Sequence, residues 1–412
     1  MTDLRTDHHP VVVVGAGPAG LTCALDLAAA GVDVTVLEAS DGVGGRMRSD
    51  RHEGFVLDRG FQVFNTSYPQ VKRRIRLAGL RLRPFTPGAL VHTARGRVRF
   101  ADPSRRPRDA AALLTGRAAS PRDLAVLAGL TARDTLAPPV LLKRMPEHTT
   151  RTELARAGLS DTCVETLLRP FLSGVFLEDD LETSSRMFHL VWRSFVRGSL
   201  TLPAAGIGAV PAQLAAALPP GCVELETPVS ALTDEGVVTA DGSERPASAV
   251  VVATGAQAAS ALLPHLPPVP TRTVTTSYHA APASPLREPA LLLDAGRRFL
   301  NTCVLTEVSP AYATDGRSLV STSVLGDGGE ERGLRQVLSE VYGADTSTWE
   351  HLASYTVPGA LPAMPPPWPL SRTTRVADGV HVCGDHRATG SVQGAMASGT
   401  RAARELLASR AR

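Results

Sequence analysis

The sequence predicts an α/β fold built on a parallel sheet, with a second, α+β domain inserted between pieces of the first. Three observations carry that expectation. A strand, a glycine turn, a helix and a second strand follow one another over Val11–Glu38. A short strand and a long helix close the chain after Gly379. Between these ends lie proline-broken helical stretches, then strand-like runs separated by Pro, Gly and Asp turns, which reads as an antiparallel sheet.

The opening unit is the most explicit. Val11–Val14 is a continuous β-branched run, as expected for a strand buried on both faces. Gly15-Ala16-Gly17-Pro18-Ala19-Gly20 follows at once, and Leu21, Ala24, Leu25 and Ala28 then recur at helical spacing up to Gly31. Val32–Leu37 alternates as a strand and delivers Glu38, 18 residues after Gly20 (38 − 20). In such a unit the first glycine permits a sharp turn, the second lets a pyrophosphate approach the backbone, and the third lets helix pack on strand. The phosphates then face the positive helix end, and the acid accepts hydrogen bonds from ribose hydroxyls. A bare glycine run also fits a structural turn; it is the strand–turn–helix–strand context that favours a dinucleotide, in a Rossmann-type domain.

Asp41-Gly42-Val43-Gly44-Gly45-Arg46 is a second glycine-rich loop ending in arginine. Its amides and guanidinium suit the remainder of a bulky pyrophosphate, which points to FAD over NAD; the plainer alternative is a solvent loop with an incidental arginine. Farther on, helical pieces such as Leu124–Leu130 precede Thr152–Phe195, expected to be helices broken at Pro170 and Gly174. Gly206–Leu218 reads as a glycine turn into a helix, Val229–Leu232, Gly236–Ala240 and Ala249–Val252 as strands, and Arg272–Val324 as sheet. The proline-dense Ala360–Pro369 excludes a helix interior. Val392, Ala395, Met396, Gly399, Ala402, Ala403, Leu406 and Leu407 mark one face of a final helix. The expected division is 1–95, 206–265 and 358–412 for the dinucleotide domain, 96–205 for a helical insertion and 266–357 for a substrate-domain sheet.

Composition narrows the function classes. The formal charge is +3 over 412 residues, and Lys72 and Lys143 are the only lysines. The basic stretches Lys72–Arg83 and Arg95–Arg108 read as solvated faces, with a peripheral membrane-facing patch as the sharper alternative. No nucleic-acid surface is expected. Five scattered cysteines show no C-x-x-C and no metal-ligand spacing, which predicts a reducing compartment and no metal site. The N-terminal MTDLRTDHHP lacks the apolar run of a leader, and no apolar run approaches the ~20 residues that cross a bilayer, so a cytoplasmic protein is expected, with membrane association as the alternative.

Together, V-V-V-G-A-G-P-A-G-L, V-T-V-L-E-A and G-V-G-G-R resemble the amine oxidase / phytoene desaturase / protoporphyrinogen oxidase superfamily of flavoproteins. The resemblance implies FAD. It also implies roles for Gly60 and Phe61 in Leu57-Asp58-Arg59-Gly60-Phe61, which is similar to a segment running beside the flavin, and for Val229, whose backbone would meet adenine. Ala253 and Thr254 match the V-V-x-A-T stretch, and Ala39 follows the ribose acid. Cys383-Gly384-Asp385 and Gly390–Ala395 resemble the closing motif, in which Asp385 would meet the ribityl chain or pyrophosphate while Ser391, Val392 and Ala395 present a helix N-terminus to the flavin. Arg169-Pro170-Phe171, Ser184-Ser185-Arg186, Leu202–Gly206 and Ala360-Leu361-Pro362 are more similar to the carotenoid- and porphyrinogen-oxidising branches than to monoamine oxidases. Many amine-oxidising members carry a late lysine near flavin N5, and this chain has none after Lys143.

The reaction these features imply is oxidation, such as desaturation, of a small, largely apolar substrate by hydride transfer to flavin, with O2 or another electron acceptor. Amine or amino-acid oxidation with O2, flavin-dependent isomerisation and a non-catalytic flavin-holding subunit are the alternatives. Phe171, Phe176, Met187, Trp192, Phe195, Tyr355 and Trp368 are candidates for an apolar substrate wall, each also readable as core. Among them Tyr355 and Trp368, with His189 as a possible base, are the catalytic candidates; a core histidine is the plainer reading of His189. His386 and Arg387 either bracket the cofactor or cap the loop.

Overall fold

A computed structural model of the chain describes residues 9–101, 105–110 and 118–410. The N-terminal segment 1–8 and positions 102–104 of the second basic stretch lie outside them.

The valine run Val11–Val14 is the centre of a six-stranded sheet. Its strands lie in the order Val223–Glu224, Val34–Leu37, Val11–Val14, Ala249–Val252, Val380–Val382 and Arg375–Ala377, and only the last is antiparallel to its neighbour. Strand side chains alternate, so Val11 and Val13 bury one way, against the first helix (Pro18–Ala29) and the closing helix (Val392–Arg410). Val12 and Val14 face a separate cluster with Val237, Val250, Val252, Leu263 and Val382. The two helices cross at Gly399, where a Cβ would overlap the carbonyl oxygen of Ala19. The strand Gly236–Thr239 lies outside this sheet, at the centre of a three-stranded one with Val229–Thr233 and Glu244–Pro246.

The second sheet has seven strands, ordered Glu350–Pro362, Thr271–Ala281, Ser318–Leu325, Asn301–Val304, Leu292–Asp294, Gly88–Thr93 and Gly96–Ala101. Gly88–Thr93 and Gly96–Ala101 pair into this sheet on both sides of the expected division at 95, and the strand Glu350–Pro362 continues past the expected one at 357. The sheet is also not wholly antiparallel, because Leu292–Asp294 runs parallel to Gly88–Thr93. A strand's sheet partner is set by long-range pairing, which local alternation does not encode.

The helical insertion packs on this sheet through Leu154, Leu167, Leu168, Leu172, Phe176, Phe188 and Trp192. Pro170 and Gly174 do not break it. The helical path runs from Asp161 through Phe176, with Pro170 and Gly174 inside Arg169–Phe176. It widens into a π turn at Val164–Leu168, just ahead of Pro170.

Candidate active site

The carboxyl ends of the parallel strands open onto a cavity of about 810 Å³ that continues between the two sheets. Ligands of open α/β sheets bind at this edge. On the parallel-sheet side it is lined by Gly15, Gly17, Ala19, Glu38, Ala39, Gly44, Gly45, Arg46, Gly60, Phe61, Val229, Ala253, Thr254, Gly384, Asp385, Ser391, Val392 and Ala395. These are all of the expected cofactor residues except Gly20. Gly20 sits beneath the turn, where a Cβ would overlap the Gly15 carbonyl oxygen and stand 3.1 Å from Ala253 Cβ.

The turn is shaped by backbone. Gly15 has φ +105°, a region side chains resist. A Cβ at Gly17 would meet no atom within 4 Å, so bare backbone faces the cavity. No side chain caps the first helix, leaving its positive end open there. Glu38 is buried beside it: Ala16 N–H donates to Oε2 (2.7 Å), and Ser40 N–H and Oγ donate to Oε1 (3.0 and 2.6 Å). These bonds hold the carboxylate in one orientation at the cavity wall.

The second glycine loop leans on the first, Gly45 having Gly17 Cα 3.6 Å from its Cβ position. It carries Arg46, whose Nη2 donates to Asp385 Oδ1 (2.7 Å) and whose Nη1 donates to the carbonyls of Ala360 (2.6 Å) and Gly359 (3.2 Å). One guanidinium thus joins the N-terminal loop, the last strand of the second sheet and the closing motif. Ser391 Oγ accepts from Gly394 N–H (3.1 Å) at the start of the closing helix.

On the other side the wall is Phe171, Phe176, Met187, Val191, Phe195, Leu291 and Leu293, with Val274 from the long central strand. Met187, Val191 and Phe195 form one stripe of the helix Ser185–Arg197. Glu38, Arg46, Arg59 and Asp385 are the charged residues of the lining, and none of them comes from the helix Ser185–Arg197 or from a strand of the second sheet. Arg59 is paired with Asp50 at 2.9 Å.

The three catalytic candidates are not brought to this cavity. His189 is 1% exposed, with Nδ1 2.8 Å from Asp134 Oδ2 and Nε2 3.2 Å from Glu153 Oε1, in a network completed by Arg133. Burial alone lowers its pKa, but the bonds to Asp134 and Glu153 outweigh that and raise it. Tyr355 gives its hydroxyl to Asp50 (3.0 Å) and packs edge-on to Tyr278. Trp368 packs with Met187 and Met364 and donates Nε1–H to the Ala388 carbonyl (3.0 Å). Trp192 is likewise tied, to Thr131 (2.9 Å). His386 is buried beside Gly384 with neither ring nitrogen bonded, and burial first of all pushes its pKa down to about 4.

Sequence reasoning passed over three features. Asp58 is buried at the domain junction and accepts from Ser49 Oγ (2.5 Å), Ile207 N–H (2.9 Å) and Tyr312 OH (3.0 Å). Burial drives its pKa up to about 6, against those three bonds. The carbonyls of Gly359 and Ala360 receive Arg46, and Asn301 enters the cavity wall from the middle of the second sheet. A carboxamide among the strand-like residues Phe299–Val304 was the available signal for the last. Among the described residues no group of three or more His, Cys, Asp or Glu is placed to hold a metal, and all five cysteines are free and buried. No helix there is long and apolar enough to cross a membrane.

Comparison with known proteins agrees with this geometry. A family model described as flavin containing amine oxidoreductase matches residues 18–407. The L-amino acid oxidase Cdc18 of Crotalus durissus cumanensis is 48% identical over 75 residues, which are 18% of this chain and 15% of that protein. The match thus spans only a small part of that curated relative. Among solved structures, a protein assigned as a protoporphyrinogen oxidase in Exiguobacterium sp. 255-15 superposes with TM-score 0.74 at 20% identity, over 97% of this chain and 99% of that one. Cyclohexylamine oxidase from Brevibacterium oxydans gives 0.72 at 18%, over 98% and 100%. At these identities the structural likeness speaks to the fold.

Proposed function

The chain belongs to the family of flavin-containing amine oxidoreductases, and from that premise we propose that it binds FAD and oxidises a small, largely apolar molecule, as in a desaturation. The residues fit the cofactor: the bare backbone at Gly17, the open end of the first helix, the oriented Glu38 carboxylate and the Arg46–Asp385 pair form one continuous cradle. In this reading Glu38 holds the adenosine ribose and the Val229 backbone meets adenine. Gly15–Gly17, Gly44–Gly45 and Arg46 hold the pyrophosphate, and Asp385 with the Ser391–Ala395 helix start holds the flavin end. Bound there, the flavin supplies a ring that accepts hydride.

The observation that carries the substrate class is the wall opposite the cradle. It is aliphatic and aromatic but for neutral polar residues such as Asn301, and it contributes no charged residue to the lining. An ammonium or carboxylate seated against Phe171, Phe195 and Leu291 would lose its hydration without gaining an ionic partner, a cost of several kcal/mol, roughly. Nor does that wall offer a base. His189 is held outside the cavity by Asp134 and Glu153, and the lining Tyr68 is pushed by burial up to about 12. What the chain contributes is position and dryness: the Met187–Val191–Phe195 stripe and the strands of the second sheet hold an apolar body and exclude water.

An anaerobic screen tests this. Prenyl and polyene compounds should bleach the visible flavin band of the purified yellow protein, and simple amines and amino acids should not. Bleaching by amines, with peroxide released once air is admitted, would replace this reading with amine oxidation, the activity named in several relatives.

A further inference from the structure

Two asparagines line the cavity, and they differ in one respect. Asn65 is fully engaged: its Nδ2 donates to the Ser194 carbonyl (3.1 Å) and its Oδ1 accepts from Ser67 N–H (2.8 Å). Asn301, on the strand Asn301–Val304, is 8% exposed, and its Oδ1 is buried without a hydrogen-bond partner. No protein acceptor for its Nδ2 occurs among the described residues either.

The surroundings keep this carboxamide open. Ser323, its cross-strand neighbour, shares a hydrogen bond between hydroxyls with Thr276 (2.9 Å) and makes none to Asn301. Gly174 of the helix Arg169–Phe176 lies opposite; a Cβ there would stand 3.4 Å from Asn301 Nδ2, so glycine leaves the amide uncovered. Gln62, a side-chain amide of the same lining, is committed to the Arg46 carbonyl (2.7 Å). Asn301 is therefore an unspent polar group set among Phe171, Phe176, Leu291 and Leu293. Buried polar groups are normally paired, and an unpaired one at a cavity wall awaits a ligand.

We infer that Asn301 reads the polar group of the substrate, a neutral hydroxyl or carbonyl carried on an apolar body. A carboxamide offers both an acceptor and donors and carries no charge, so it matches such a group and gives nothing to an ion. Asn301 determines specificity and registers the apolar body along the cavity. This rests on the apolar-substrate reading and narrows it.

The test uses the flavin-loaded protein and three probes sharing one skeleton: farnesene, farnesol and farnesal. Binding is read from perturbation of the visible flavin spectrum, and cyclohexylamine serves as the amine comparison. The wild type should bind farnesol or farnesal at least about tenfold more tightly than farnesene, since a site with an unpaired polar group rejects the analogue that cannot pair it. Asn301→Leu should bring that ratio to about one while farnesene binding persists, and Asn301→Ala should do the same if the leucine variant does not load flavin. A wild-type ratio near one overturns the role of Asn301 and leaves the apolar reading standing, as does a variant that keeps the ratio. Binding of cyclohexylamine with none of the three farnesyl probes overturns both.

Discussion

Gly17 and Gly20 belong to one motif, yet the structure assigns them separable consequences. At Gly20 a methyl group would overlap the Gly15 carbonyl oxygen and crowd Ala253 Cβ at 3.1 Å. Both neighbours are backbone-anchored, so the first helix must retreat from the turn. Overpacking of this kind costs about 3 kcal/mol, the upper end of the usual range. With an unfolding entropy of about 2.1 cal/mol/K per residue, the 412-residue chain melts with about 0.9 kcal/mol/K. Gly20→Ala should therefore lower the midpoint of the flavin-free protein by about 3 to 4 °C. At Gly17 a methyl group would meet no protein atom within 4 Å and would project into the cavity. Gly17→Ala should melt within about 1 °C of the wild type yet bind FAD at least tenfold more weakly, about 1.4 kcal/mol. Scanning calorimetry without flavin gives the first quantity, and quenching of FAD fluorescence on titration gives the second. The reasoning is refuted if Gly17→Ala loads flavin like the wild type, or if Gly20→Ala melts unchanged.

Two further predictions concern pH. Asp58 has a native pKa raised to about 6 from 3.8, burial being the main cause, so the native state holds a proton that the unfolded chain releases between those values. Its contribution to stability is fully present below pH ~4 and lost as pH rises through ~6. Urea midpoints at pH 4.5 and 7 should show the wild type losing about 2 kcal/mol relative to Asp58→Asn across that interval; parallel profiles would contradict it. His189 also has a raised pKa, burial opposing and its bonds to Asp134 and Glu153 prevailing, so its contribution is present below the unfolded value near 6.5 and lost as pH rises past the native one. His189→Gln should destabilise the protein by about 3 kcal/mol at pH 6 and by less at pH 9, with flavin content unchanged. Loss of flavin or of substrate oxidation with unchanged stability would instead place His189 in the reaction.

The cofactor cradle was legible in the sequence to the extent that its determinants are local. A valine run, glycines at fixed offsets and an acid 18 residues on describe a turn whose geometry depends on near neighbours alone, and Gly15, Gly17 and Glu38 line one cavity in the structure. Met187 and Phe195 were visible as apolar residues of a helical stretch, without Val191 between them. Which way they face was not. The same helix carries His189, which a list of aromatics and a histidine made into a candidate base and which packing assigns to Asp134 and Glu153.

The sequence alone therefore determined the fold class and the dinucleotide edge, because strand alternation and turn chemistry are set within a few residues. Tertiary structure decided the rest. Arg46 finds Asp385 across 339 positions of chain, Gly88–Ala101 crosses into the second sheet, and Asn65 is spent while Asn301 stays open. Such outcomes depend on which distant groups packing brings within hydrogen-bond reach, and no local pattern of residues carries that information.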